Sequence, residues 1–77
     1  MNIYGYSFFV KCPNDDADIE YTLMIKHDQM ILVVDIIKAC KFPPSYQEEI
    51  ADKLRDLLPG NISISAEHQG VEVVTTR

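Results

Sequence analysis

The chain has no tryptophan, three glycines, four prolines and two cysteines among its 77 residues. So little glycine and proline excludes a collagen-like or low-complexity chain. Two cysteines, Cys12 and Cys40, are too few for the disulfide framework of a small secreted domain. They point to two reduced thiols in a cytoplasmic protein. Basic side chains are also scarce: seven Lys and Arg stand against twelve Asp and Glu, for a net charge of −5. That sign repels phosphates, so no nucleic-acid partner is expected. No apolar run approaches the roughly 18 residues that span a bilayer. No basic segment leads into an apolar run near Met1. Neither a membrane partner nor a signal peptide is expected.

What remains is the composition of a small globular domain, 47% apolar and 25% charged. A chain this short buries only about 60% of the surface that its unfolded form exposes. Self-association is therefore an economical way to add buried area.

Residues 3–12 alternate, with Tyr4, Tyr6, Phe8, Val10 and Cys12 on one side. Period two is the signature of a strand. Pro13-Asn14-Asp15-Asp16 is turn chemistry, and Ile19, Tyr21, Leu23 and Ile25 mark a second strand. The β-branched run Met30–Val34 predicts a buried extended segment, and residues 35–41 a short helix capped by Asp35. A single helix from Asp28 is the alternative. Ser45 and Glu48 have the spacing of a capping box, followed by the apolar stripe Tyr46, Ile50, Leu54, Leu57 and Leu58. Pro59-Gly60 ends that helix. Residues 62–66 and 71–76 alternate about a Gly70 turn and predict a second hairpin. The expected fold class is α+β: a single domain, residues 1–77, with an antiparallel sheet of two hairpins and helices packed on one face. The order is β-β-[β/short α]-α-β-β.

Two stretches resemble known families. Gly5-Tyr6-Ser7-Phe8-Phe9-Val10 resembles part of the aromatic strand of RNA-recognition domains, which stack bases on exposed aromatics. Here Tyr6 and Phe8 share the core face and only Phe9 points outward. The order of elements and the acidic charge also argue against RNA. Tyr4-Gly5-Tyr6-Ser7-Phe8 resembles the His-Gly-His-Ser-Phe strand of 6-carboxytetrahydropterin synthases. "MILVVDIIK" and "AEHQGVEV" resemble later segments of that family, in the same order. Both histidines that would hold zinc are tyrosine here. The resemblance implies a degenerate relative that binds a pterin- or purine-like ligand through Glu67, with His68 beside it, and performs no zinc chemistry.

Other clusters have plainer readings. Asp15, Asp16, Asp18 and Glu20 lack the glycine a calcium loop needs and read as a solvated acidic turn. His27 and His68 have no Ser or Cys partner at a recognisable spacing. No catalytic residue, cofactor or metal ligand is expected. The main expectation is a small acidic, cytoplasmic protein that binds another protein or itself. A regulatory or inhibitory role, of the kind a phage or mobile element carries, suits its size. The candidate contact residues are Phe9, Met24 and Val74 on the outer sheet face, with Lys11 and Lys26 at its border and Ile3 at its margin.

Overall fold

The computed structural model describes residues 1–77. Strands β1 (Asn2–Lys11) and β2 (Asp18–His27) pair along their whole length, from Asn2 opposite His27 to Lys11 opposite Asp18. The turn between them is closed by the Asp15 carboxylate, which accepts the Ala17 N–H at 3.1 Å. Two helices follow, α1 (Val33–Ala39) and α2 (Gln47–Leu57). The second hairpin is β3 (Asn61–His68) and β4 (Val71–Thr76). The four strands form one antiparallel sheet in sequence order, β1-β2-β3-β4. The α+β class and the helices on one face are as the sequence predicts.

Alternation places Phe8, Val10, Tyr21, Leu23, Ile25, Ile62 and Ile64 on the covered face, where they are buried. The helices supply Ile36, Ile50, Ala51, Leu54 and Leu58 to the same core. Gly60 carries the chain from α2 into β3 with φ at +90°, and a Cβ there would lie 2.6 Å from the Lys26 carbonyl oxygen. That position therefore requires glycine, both for the left-handed backbone and for the close approach.

Four expectations are corrected. Residues 30–34 are neither a buried strand nor part of a helix from Asp28. Only Ile31 is buried, while Met30 is 76% exposed, Val33 64% and Val34 51%. β2 pairs directly with β3, so no interior slot is left in the sheet for a fifth strand. The segment runs outside instead, held where the Tyr4 hydroxyl accepts the Ile31 N–H at 2.9 Å. Helix α1 starts with Leu32 at its N-cap, and Asp35 lies inside the first turn.

The capping box is also displaced by one residue. Glu49, not Glu48, reaches back and accepts the Tyr46 N–H at 2.8 Å. The Ser45 N–H is already engaged by the Lys11 carbonyl, and the Ser45 hydroxyl donates to the Pro43 carbonyl at 2.8 Å. Ser45 is thus tied to β1, and the helix begins after it. Finally, the apolar stripe is narrower than predicted. Tyr46 and Leu57 are exposed, and the inner face is Gln47, Ile50, Ala51, Leu54 and Leu58.

Glu49→Ala should lower the unfolding free energy by about 1 kcal/mol, the worth of a hydrogen bond at a helix end. Ser45→Ala should stay within about 0.5 kcal/mol, as for an ordinary surface change. Urea unfolding followed by circular dichroism separates them, and the reverse ranking would put the cap back at Ser45.

Candidate functional site

At one end of the sheet, three segments meet: the β1–β2 turn, the start of α2 and the β3–β4 turn. They enclose a cavity of about 470 Å³, lined among others by Cys12, Asp15, Tyr21, Tyr46, Gln47 and His68. Tyr46 is held at the rim by its hydroxyl, which donates to the Asn14 side-chain oxygen at 2.7 Å.

Gln47 organises the floor. It lies one turn before Ile50 and Ala51 on the inner face of α2, so its amide is carried into the core. Its Nε2 donates to the Val73 carbonyl at 2.9 Å, to the Thr75 hydroxyl at 3.1 Å and to the Ile64 carbonyl at 3.3 Å. The two carbonyls, which can only accept, fix which end of the amide is nitrogen. Oε1 is then an acceptor, and it lies 2.7 Å from Nε2 of His68. His68 therefore donates there through Nε2, which leaves Nδ1 as the ring nitrogen without a partner in the chain.

Tyr21 is the other wall. It is 1% exposed. Its ring packs 5.8 Å from that of Phe8 and 6.1 Å from that of His68. Its hydroxyl has no hydrogen-bond partner in the chain. No fully enclosed side-chain oxygen or nitrogen lacks a partner, so this hydroxyl reaches the cavity surface. Burial, and then the nearby Cys12 sulfur, hold the phenol above its ordinary pKa. It is therefore a neutral donor at physiological pH.

No Lys or Arg lines the cavity, and Asp15 places a carboxylate at its edge. Anions are disfavoured; a neutral ligand with both donors and acceptors fits. No group of three or more His, Cys, Asp or Glu side chains is placed to hold a metal ion.

The other residues singled out from the sequence lie on the uncovered sheet face. Phe9 is 65% exposed, and Met24, Val74 and Ile3 are exposed as well. The register separates them. Met24 stands between Gly5 and Ser63, whereas Val74 is opposite Ser65 and Phe9 is opposite Glu20. Phe9 lies four residues along β1 from Met24's neighbour Gly5, about 13 Å. Between the three apolar side chains runs a band of hydroxyls, with Ser7 Oγ and Thr22 Oγ1 3.4 Å apart. Lys11 is paired with Asp18 at 3.0 Å, and Lys26 stands at the other end of the face, opposite Asn61.

Glu67 and His68 do not share a site. Glu67 is opposite Glu72 and exposed, while the pleat turns His68 to the covered face and into the cavity. The residues that sequence reasoning missed are Tyr21 and Gln47. The available signal was Gln47 itself, a polar residue in register with Ile50, Ala51 and Leu54.

No protein-family model, curated protein or solved structure matches this chain.

The two thiols should differ in reactivity. Cys12 is partly exposed in the cavity wall, and Cys40 is buried behind α1. Burial pushes Cys40 from the ordinary 9.0 up to about 11. At pH 8, a thiol reagent followed by mass spectrometry should label Cys12 first and Cys40 only on unfolding. Because the folded pKa is raised, Cys40 contributes stability below about pH 9 that is lost as the pH rises through about 11. Denaturation midpoints measured across that window should fall for the wild type and flatten for Cys40→Ala.

Proposed function

We propose that this chain works by binding a small, neutral heterocycle of the purine or pterin kind in the cavity beside Tyr21. One observation carries the reading: a 1%-exposed tyrosine presents an unpartnered hydroxyl to that cavity. A hydroxyl that opens into the cavity and has no protein partner is free to donate to a ligand acceptor. The volume, about 470 Å³, lies in the range of small-molecule sites. His68 Nδ1 would accept from the ligand and Tyr21 would donate to it. Two free thiols support a reducing, cytoplasmic setting.

The test is thermal stabilisation by a panel of free purines and pterins. A ligand at a hundred times its dissociation constant should add about 2.7 kcal/mol of stability. Tyr21→Phe should keep the fold and weaken that gain. If no compound stabilises the protein, or Tyr21→Phe binds as well as the wild type, the reading fails.

A second reading is favoured by the 65% exposure of Phe9. The uncovered face, with Met24, Val74, Lys11 and Lys26, would contact another protein in a regulatory or inhibitory complex. Phe9→Ser with Met24→Ser, made together because the two lie at separate points of the face, should leave circular dichroism unchanged and abolish retention of a purified partner. Unchanged retention would remove the face from consideration.

A further inference from the structure

A further apolar surface lies outside both the cavity and the sheet. It is the outer side of α1 and the segment that leads into it. Met30, Leu32, Val33, Val34 and Ile37 are all exposed, and a groove of about 460 Å³ runs along the other side of the helix, with Met30, Leu32, Asp35 and Lys38 facing Leu57. Isolated exposed apolar residues are ordinary, but five within residues 30–37, on one short helix and the segment leading into it, mark a contact surface.

The helix geometry sorts this surface into two stripes. With 3.6 residues per turn, Ile36, Ala39 and Cys40 point into the core, where they are buried. Val34 points away from it. Val33 and Ile37 lie to one side of Val34, and Asp35 and Lys38 to the other. Both charged residues are exposed, and neither takes part in any of the chain's ion pairs.

We propose that two copies of this chain dock through this face, with their α1 helices antiparallel about a two-fold axis level with Ile37. The charges select this occupant and this direction. An in-plane two-fold axis lays each stripe against the same stripe of the other copy. Asp35 then meets the partner copy's Lys38, and Lys38 meets its Asp35, while Ile37 packs against itself. A parallel arrangement, with the two-fold along the helices, would set Asp35 and Lys38 against the partner copy's Val33 and Ile37 and leave both charges unpaired against apolar side chains. The net charge also points here. Two chains of −5 repel, and they approach with least cost where the surface is locally neutral, as Asp35 and Lys38 make it. The sheet face is poorer in this respect, because Asp18, Glu20, Glu67 and Glu72 crowd one end of it.

Sedimentation equilibrium on the full chain tests the proposal. The wild type should be a reversible dimer. Asp35→Lys and Lys38→Asp should each keep native circular dichroism and dissociate at least about tenfold more readily, since each opposes like charges twice. An equimolar mixture of the two variants should form a heterodimer and recover the lost affinity, because the charges complement again across the axis. A wild type that remains monomeric near about 1 mM overturns the proposal. So does a dimer that both variants leave unchanged, or a mixture that recovers nothing. An unrelated protein's helix filling the groove would leave the wild type monomeric and thus count against it.

Discussion

Everything in this fold follows from the pairing of β2 with β3. Thr22 lies opposite Ser65 and Lys26 opposite Asn61, so two hairpins far apart in sequence become one sheet. The connection between them must leave the end of β2 and return to the start of β3 on the neighbouring strand. Antiparallel neighbours can be joined by a short turn, yet here the connection holds two helices. They fold back over a single face, because only that face carries the apolar half of each strand. The other face is left to solvent. The same pairing denies the Met30–Val34 run a place in the sheet, and so drives apolar side chains outside.

The second organising contact is polar. Gln47 sits where a helix of this pattern would ordinarily place an aliphatic residue. Its amide bridges α2 to Ile64 on β3 and to Val73 and Thr75 on β4, and it orients His68. An unpaired amide at this depth would cost more than a methylene group gains. The full set of partners is what allows it there, and it ties the end of the sheet to the start of the helix. The cavity exists because the polar floor meets the large ring of Tyr21, whose hydroxyl none of these partners reaches.

Local alternation made the strands and both hairpins legible from residues 3–12, 19–25, 62–66 and 71–76, and Pro59-Gly60 announced the end of α2. What was not legible depended on contacts distant in sequence. Met30–Val34 has the composition of a strand, but its fate was set by Ser63 and Ser65 occupying the flank of β2. Ser45 has the right spacing for a cap, but its N–H was claimed by Lys11 on another element. The outward direction of Phe9, Met24 and Val74 followed from period two. Their separation by a hydroxyl band needed the register. Tyr21 read as one more core aromatic, because nothing in the sequence tells a hydroxyl that ends in a cavity from one that ends against a partner.

These long-range contacts also place the three candidate surfaces independently. The cavity lies at the start of α2, and the α1 groove reaches Leu57 and Leu58 at its other end. Eleven residues of helix separate them by about 16 Å. The uncovered face is on the far side of the sheet. A dimer through α1 would close neither the cavity nor that face, so ligand, partner and second copy could be held together. Coupling between sites needs an element with two arrangements that both sites bias. The one element linking cavity and groove is α2, whose inner residues Ile50, Ala51 and Leu54 are fully buried, and a helix fixed in this way transmits little. The architecture is that of independent surfaces on one rigid support. Its small core is then a reason for the second copy: each chain has few buried residues of its own, and the apolar surface that the sheet could not accommodate is what a two-fold contact would bury.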